Sequence, residues 1–276
     1  MRLIDVRHLG RERVIGCWEL DRVLIDPGPT SSMDNLIEAL GGEQPRALLL
    51  THIHLDHAGA SGSLVRRWPE LPVYVQEKGA RHLADPAKLL ASAERLYGDQ
   101  MERLWGEVAP VPEANLTALR GGEEVLGFKV AYTPGHASHH LSYFHPPSGR
   151  AFVGDTAAVR IPPSNWVLPP TPPPDIDLDL WEDSIDRILD WDPDSLALTH
   201  FGDVDDPDAH FELVRERLRE QGDLARELSA EEFESRIRGQ ADEKADAETV
   251  KALLQAVPPE QQWAGLDRYW RTRTTS

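Results

Sequence analysis

The sequence contains only one cysteine, Cys17. A single thiol can form neither an internal disulfide nor a cysteine-cluster zinc site. Long apolar runs are also missing, since the longest, such as Ala47–Leu50, fall far short of the roughly 20 residues that cross a bilayer. Because Met1–Asp5 is followed by charged residues rather than by an apolar stretch, we expect no secretory signal. These absences predict a cytoplasmic protein without a membrane segment.

Basic residues are scarce relative to acidic ones. The chain has 29 Lys and Arg against 47 Asp and Glu, which gives a formal net charge of −18 at pH 7. Surfaces that bind nucleic acids or anionic membranes need Lys and Arg to neutralise phosphates, so both partners are disfavoured. The acidic surplus is concentrated in residues 155–208, which hold 14 Asp and Glu but two Arg. A negative field there favours a small, neutral or modestly charged substrate over a polyanion.

Short apolar segments alternate with helical patterns along the chain. The strand candidates are Leu3–Val6, Val14–Leu20, Val23–Asp26, Ala47–Leu50, Val73–Val75, Val125–Thr133, Leu141–Phe144, Ala151–Val153 and Leu196–Thr199. Helices are predicted over Met33–Leu40, in two pieces of 77–107 that part near Pro86, after Asp177, and from Pro207 onward with breaks near Gly222, Gly239 and Pro258. This order predicts an α/β layered domain over residues 1–205 and a helical extension over residues 206–276.

The densest group of chemically active residues is Thr51–His57, which reads Thr-His-Ile-His-Leu-Asp-His. Imidazole nitrogens are common ligands for zinc and similar metals, and a carboxylate compensates the charge of the metal. In an extended turn His52 and His54 project to the same side because side chains alternate along the chain. Asp56 and His57 can then face a second point nearby. A solvated polar loop is the alternative, but so many ligands after a buried strand favour a metal site.

Three further residues that could ligate a metal follow predicted strands: His136, Asp155 and His200. A lone His or Asp after a strand is usually a cap or a turn residue, so each is weak by itself. Open α/β sheets place their ligands at the carboxyl ends of strands, and four such ends here deliver five histidines and two aspartates. Seven ligands exceed what one tetrahedral zinc needs, but they suit two metals that share a bridging carboxylate.

In these motifs the chain resembles the metallo-β-lactamase superfamily. The resemblance runs from about Leu3 to Asp203 and rests on four motifs: His-x-His-x-Asp-His at 52–57, Thr-Pro-Gly-His at 133–136, Gly-Asp at 154–155 and Thr-His at 199–200. It implies that superfamily's four-layer αββα sandwich, here with a helical C-terminal extension.

The resemblance also implies how the ligands divide between two metals. The first metal would be held by His52, His54 and His136, the second by Asp56, His57 and His200, with Asp155 as the bridge. Asp26, at the end of an early strand, matches a supporting aspartate rather than a ligand.

Asp155 also points to a branch of the superfamily. The commonest β-lactamases carry cysteine at that position and are usually exported, whereas this chain is similar to the glyoxalase II, lactonase and phosphodiesterase branch. The resemblance implies hydrolysis by a hydroxide shared between two metals, with Asp56 as ligand and proton acceptor. We therefore predict a metallo-hydrolase of a small ester, lactone or thioester. Zinc is the expected metal, and iron or manganese are alternatives.

Three other functions stay open on the same fold. A persulfide dioxygenase would use one iron held by two histidines and an aspartate. A phosphodiesterase would share the dinuclear site, although the acidic stretch disfavours a polyanionic substrate. A non-catalytic binding protein typically loses ligands, whereas this chain has all seven.

The substrate pocket is the least determined part. Trp166, in a loop with seven prolines over Pro162–Pro174, and His140 are our candidates for its lining, although a buried tryptophan more often packs than recognises a ligand. His139 stands where the branch usually has glycine, and either adds a polar group near the site or faces outward. The arginines of the helical extension fit surface ion pairs better than a substrate grip. The extension itself either caps the site or forms a homodimer interface.

Overall fold

The structure, a computed structural model, describes residues 1–274 and contains, within that range, twelve β-strands and eleven α-helices. The strands form two six-stranded sheets. The first follows chain order: β1 (Arg2–Asp5), β2 (Gly16–Leu20), β3 (Val23–Ile25), β4 (Ala47–Leu49), β5 (Val73–Gln76) and β6 (Leu116–Leu119). Strands β1 to β3 pair antiparallel and β3 to β6 pair parallel.

The second sheet has the order β12-β11-β10-β9-β8-β7. Its strands are β7 (Glu124–Val125), β8 (Phe128–Tyr132), β9 (Leu141–His145), β10 (Arg150–Phe152), β11 (Ser195–Leu198) and β12 (Gly202–Val204). Strand β10 pairs parallel with β11, and each end of the sheet is an antiparallel hairpin. The carboxyl ends of β4, β8, β10 and β11 each lead directly to a predicted metal ligand, as the sequence pattern indicated.

Seven helices lie between strands, and four follow the last strand, within the residues that the structure describes. They are α1 (Met33–Ala39), α2 (Leu55–Ala58), α3 (Ser61–Arg67), α4 (Glu77–Ala84), α5 (Ala87–Tyr97), α6 (Met101–Trp105), α7 (Leu178–Leu189), α8 (Pro207–Glu227), α9 (Ala230–Lys244), α10 (Ala247–Ala256) and α11 (Pro259–Thr274). Among the described residues, no helix is both long and apolar enough to span a membrane.

Two sequence-based helix breaks are wrong, because α8 continues through Gly222 and α9 through Gly239. The backbone at Gly222 serves packing instead. A Cβ there would lie 3.0 Å from Leu178 Cδ1, and the Gly222 carbonyl accepts the indole N–H of Trp270 at 2.9 Å. The predicted break at Pro258 is confirmed, since α10 ends at Ala256 and α11 begins at Pro259.

The described chain divides into two compact units. The first comprises Met1–Tyr132 and His139–Tyr143, and the second comprises Thr133–Ser138 and the chain from Phe144 onward. Helices α7 to α11 therefore belong to the same unit as β10 to β12. The boundary that we placed between residues 205 and 206 stays a prediction.

Candidate metal centre

The predicted ligands of the first unit lie on the loop after β4 and on α2. His52 and His57 are buried, whereas His54 and Asp56 are partly exposed. The ring centroid of His52 lies 4.5 Å from that of His54 and 4.0 Å from that of His57. His57 Nε2 lies 3.8 Å from Asp56 Oδ2, and ligand atoms of His52 and His54 lie within 4.8 Å of each other. The four residues thus form one cluster.

Asp26 anchors this cluster from the end of β3. Its Oδ1 accepts the Thr51 N–H at 2.8 Å, and its Oδ2 accepts the Thr51 hydroxyl at 2.7 Å. The same Oδ2 lies 2.8 Å from Nδ1 of His57. A carboxylate at Nδ1 selects the tautomer with hydrogen on that nitrogen, which makes Nε2 the ligating atom. This geometry is that of a support for the loop rather than of a ligand.

Two more histidines of the first unit contact the ligand loop. His140 is fully buried and stacks on His52, with ring centroids 5.0 Å apart and planes at 26°. His139 is partly exposed, accepts the Ile53 N–H at 3.5 Å and lies edge-on to His54 at 5.6 Å. His139 therefore packs on the loop that carries the predicted ligands.

Strand β9 fixes the backbone of the same loop. The Leu141 N–H donates to the Thr51 carbonyl at 2.7 Å, and the Tyr143 hydroxyl donates to the Leu50 carbonyl at 2.8 Å. Burial, followed by the charge of Asp26, raises the pKa of Tyr143 well above its ordinary value, so this phenol stays a neutral donor. The sequence gives no signal for this role, because Tyr143 is one of several apolar strand positions.

The second unit brings together His136, Asp155 and His200, which are all buried. Asp155 Oδ2 lies 3.2 Å from His136 Nε2, and Asp155 Oδ1 lies 3.6 Å from His200 Nε2. The two oxygens of one carboxylate thus contact two different imidazoles. Asp155 sits in the short turn Gly154–Ala157 after β10, and His200 directly follows Thr199 beyond β11.

His136 is held on three sides within the second unit. Gly135 precedes it with φ +137°, and a Cβ there would lie 2.4 Å from Trp181 Cα, so only glycine fits against α7. The Trp181 ring meets the imidazole edge-on at 5.5 Å, and its indole N–H donates to the Thr156 carbonyl at 2.8 Å. Nδ1 of His136 bonds the Pro170 carbonyl at 2.9 Å. The carbonyl accepts from Nδ1, so Nε2 is again the ligating nitrogen.

The donor chemistry of both groups fits a divalent metal. Imidazole nitrogen and carboxylate oxygen are the borderline and hard ligands that zinc, iron and manganese accept, and the single thiol, Cys17, is buried. Backbone or side-chain partners orient the rings of His57 and His136 through Nδ1, which is the usual arrangement for metal-ligating histidines. Each unit therefore carries a His/Asp cluster suited to metal binding.

The other pocket candidate, Trp166, lies in the second unit. Its side chain is 7% exposed, and within residues 1–274 its indole N–H has no hydrogen-bond partner. Its backbone N–H donates to the Ser164 hydroxyl at 3.1 Å. A substrate-lining role for Trp166 and His140 stays a prediction.

The comparison with known protein families establishes to which superfamily the chain belongs. The family profile described as metallo-beta-lactamase superfamily matches residues 19–200, which is more than half of the chain. The chain belongs to the metallo-beta-lactamase superfamily. The match includes every predicted ligand, from the His52–His57 run to His200, its last residue. The predicted α/β fold with its helical C-terminal region is thereby confirmed.

One relative matches most of the chain. It is 28% identical over 243 residues to the metallo-beta-lactamase fold-containing protein ST1585 of Sulfurisphaera tokodaii, a match that covers 83% of this chain and 89% of that protein. The crystal structure of ST1585 superposes with a TM-score of 0.71 at 24% identity, covering 96% of this chain and 97% of that one. This likeness shows the fold over almost the whole length.

Two other relatives bear on chemistry. The hydroxyacylglutathione hydrolase of Legionella pneumophila is 28% identical over 132 residues, which are 48% of this chain and 41% of that enzyme. The match thus spans less than half of the enzyme's length. The structure of TTHA1623 in a di-iron-bound form has a TM-score of 0.53 at 26% identity, over 69% of this chain and 89% of that one. Hydrolases and metal-binding proteins are therefore among the relatives of this superfamily member.

Proposed function

We propose that this member of the superfamily is a hydrolase of small esters, lactones or thioesters that works with two divalent metals. One observation carries the proposal: Oδ2 of Asp155 contacts His136 while Oδ1 contacts His200. A carboxylate whose oxygens face different imidazoles is suited to a bridging position between two metals.

The proposed division of ligands follows the family resemblance. The first metal would be held by His52, His54 and His136, the second by Asp56, His57 and His200, and both by Asp155. Zinc is the proposed metal, with iron as the competing one because TTHA1623 is described in a di-iron-bound form.

When bound, such a metal pair supplies water of lowered pKa and polarises the substrate carbonyl. Asp56 is the proposed proton carrier because its side chain is 21% exposed, against 5% for Asp155. Its carboxylate takes a proton from the water that attacks the carbonyl carbon. The bond from that carbon to the leaving oxygen or sulfur then breaks, and the leaving group takes the proton from Asp56. Asp26 and the Pro170 carbonyl hold His57 and His136 in orientation throughout.

The proposed substrate is a small molecule rather than a nucleic acid or another polyanion. Two arginines of α8 pair with carboxylates: Arg215 contacts Glu182, Asp186 and Glu212, and Arg219 contacts Glu182. These arginines are therefore engaged within the protein rather than aligned for a polyanion. The likeness to hydroxyacylglutathione hydrolase adds thioesters to the substrates worth testing.

The test combines metal analysis with a substrate panel. We expect two equivalents of metal per chain and turnover of at least one ester, lactone or thioester. Asp155→Asn should lower both metal content and turnover, whereas Asp183→Asn, the same change on an exposed position of α7, should leave both unchanged. Full turnover and metal content in Asp155→Asn would refute the proposal. One iron per chain with oxygen consumption on a persulfide would indicate a dioxygenase instead.

A further inference from the structure

A single peptide group lies behind His136. The carbonyl that Nδ1 of His136 contacts at 2.9 Å belongs to Pro170, and the N–H of Thr171 belongs to the same planar peptide. That N–H donates to Oε1 of Gln262 on α11. One rigid plane therefore connects the side chain of Gln262 to the imidazole, and the plane cannot rotate without weakening both hydrogen bonds.

Helix α11 contacts this proline loop at successive turns. The Gln262 carbonyl accepts the Thr171 hydroxyl at 3.2 Å. At Gly265 a Cβ would lie 2.1 Å from the Thr171 carbonyl oxygen, so the helix backbone touches the loop directly. One turn further, Arg268 Nε donates to the Pro174 carbonyl at 3.1 Å. Beyond the bridge of Leu168 with Val159, residues 169–174 belong to no strand, so these contacts help to fix the path of the loop.

Gln262 is itself held in place. It is 2% exposed, and its Nε2 donates to the Pro258 carbonyl at 2.9 Å. The opposite side of α11 is anchored on α8 and its end, where Trp263 donates to the Leu228 carbonyl at 3.0 Å and Trp270 to the Gly222 carbonyl at 2.9 Å. The helix is thus a fixed support against which the loop rests.

We propose that Gln262 is a positioning residue that orients His136 through the Pro170–Thr171 peptide, and that α11 is a supporting element of the metal centre. This inference rests on the proposed function in one respect, namely that His136 ligates a metal. By accepting the hydrogen bond of the Thr171 N–H, Gln262 polarises the shared peptide. This polarisation strengthens the Pro170 carbonyl as acceptor from Nδ1 of His136 and keeps Nε2 in its ligating direction.

The test replaces the amide without changing the length of the side chain. In Gln262→Met the acceptor is lost, and in Gln262→Glu an oxygen acceptor is kept. Gln261→Met makes the same change on the neighbouring, more exposed position of α11 and serves as the control. Two quantities are measured on the full chain: zinc affinity by competition with a chelator, and solvent exchange of the His136 Nδ1 proton by ¹⁵N-edited NMR in the zinc-loaded and chelator-treated forms.

We expect Gln262→Met to weaken zinc binding at one site by about 10-fold, the lower end of effects for residues behind a metal ligand, and to speed exchange of the Nδ1 proton. Gln262→Glu should keep most of the zinc affinity and most of the slow exchange of the Nδ1 proton. Gln261→Met should match the parent chain in both quantities. A folded Gln262→Met protein with unchanged affinity and unchanged exchange would overturn the inference.

Two further outcomes are separable. If Gln262→Met does not fold, Thr171→Val is the substitute, because it removes only the hydroxyl bond to the Gln262 carbonyl. It should change zinc affinity and Nδ1 proton exchange in the same direction as expected for Gln262→Met, but by less. No change in either quantity would overturn the inference. If the parent chain binds no zinc or other metal, the proposed function fails. Proton exchange at His136 in the chelator-treated protein still decides whether Gln262 positions the ring.

Discussion

The histidines of the metal centre differ in what holds their Nδ1 atoms. His57 has a buried carboxylate, Asp26, at 2.8 Å, whereas His136 has a neutral carbonyl at 2.9 Å. A carboxylate that accepts the Nδ1 proton makes the ring a stronger metal ligand through Nε2 than a neutral carbonyl does, because the carboxylate carries a full negative charge. The two predicted metal positions should therefore differ in affinity for the same ion.

Asp26→Asn should weaken metal binding at the site of His57 by roughly 10- to 100-fold, the usual effect of removing a carboxylate behind a histidine ligand. The amide cannot supply the charge, and its NH₂ group competes with the Nδ1 proton for the same position. Two-site zinc titration against a chelator measures the change.

The matched control is Asp21→Asn, which makes the same substitution in the exposed turn between β2 and β3. Both zinc affinities should stay at the parent values in this variant. Equal affinities in Asp26→Asn and Asp21→Asn would show that Asp26 has no influence on the metal.

His210 is a buried histidine outside the predicted ligand set. Its Nε2 bonds the Ala157 carbonyl at 2.8 Å, and burial, with a smaller contribution from the charge of Arg160, lowers its pKa from 6.5 to about 4. The unfolded chain therefore binds a proton at this position before the folded chain does. Stability that depends on neutral His210 is complete above pH 6.5 and is lost progressively as the pH falls towards 4.

His210→Gln keeps a donor for the Ala157 carbonyl and removes the titration. Between pH 7.5 and pH 5 the parent chain should lose about 2 kcal/mol more unfolding free energy than the variant. Urea unfolding at the two pH values measures the difference. The two proteins share every other ionisable group, so only the difference between their losses reports on His210. Identical losses would contradict the assignment.

At the scale of elements, the sequence predicted where strands end better than where helices do. The runs before His52, His136, Asp155 and His200 all form strands, because an apolar run followed by polar or glycine residues can continue a sheet no further. Glycine predicted helix breaks at Gly222 and Gly239 that the structure does not have. At Gly222 the close approach of Leu178 outweighs the roughly 1 kcal/mol cost of a helical glycine. Gly239 has no such contact among the described residues, and helix α9 tolerates the same cost without one.

Other elements carried no readable signal. The segment predicted as two helices over 77–107 forms three, because Gly98 adopts a left-handed φ of +51° and ends α5. Apart from Asp26, which the family resemblance indicated as a support, the groups that support the site were also invisible in the sequence. Gln262 lies 126 positions after His136, and only folding places the Pro170–Thr171 peptide between them. Sequence reasoning thus identified the ligand candidates and Asp26, but not the other groups that hold the ligands.

Helix α9 has a capping box in which the Ser229 hydroxyl accepts the Glu232 N–H and Glu232 accepts the Ser229 N–H. Ser229→Ala should lower the unfolding free energy by about 1 kcal/mol, the typical value for loss of a serine cap. Ser235→Ala, an exposed position inside the same helix, should cost nothing, since alanine is the better helix former. Thermal or urea unfolding distinguishes them, and a larger loss in Ser235→Ala would contradict the cap's role.

At the scale of the whole molecule, the acidic surplus is partly compensated by arginines that come later in the chain. Arg215 pairs with Glu182 and Arg273 with Asp177 and Asp179. The more exposed of these pairs, those of Arg273, contribute about 0–1 kcal/mol each. They place positive charge beside the acidic stretch rather than on a separate basic surface, which agrees with the proposal of a small substrate.

Metal removal should affect the stability of the whole molecule. A ligand that binds only the folded state stabilises it by mass action, by about 2.7 kcal/mol at 100 times its Kd. Chelator treatment should therefore lower Tm, and zinc should restore it. In Asp155→Asn the chelator should change Tm much less. A parent chain whose Tm is indifferent to chelation would contradict tight metal binding.

The position of α11 in the chain has a consequence for biosynthesis. All seven predicted ligands precede residue 201, whereas the helix that supports the Pro170–Thr171 peptide begins at Pro259. A growing polypeptide therefore exposes every ligand before the support for His136 exists. Metal captured at that stage would be held by a ring still free to turn. If His136 ligates a metal as proposed, we expect stable loading only after α11 has been translated and docked.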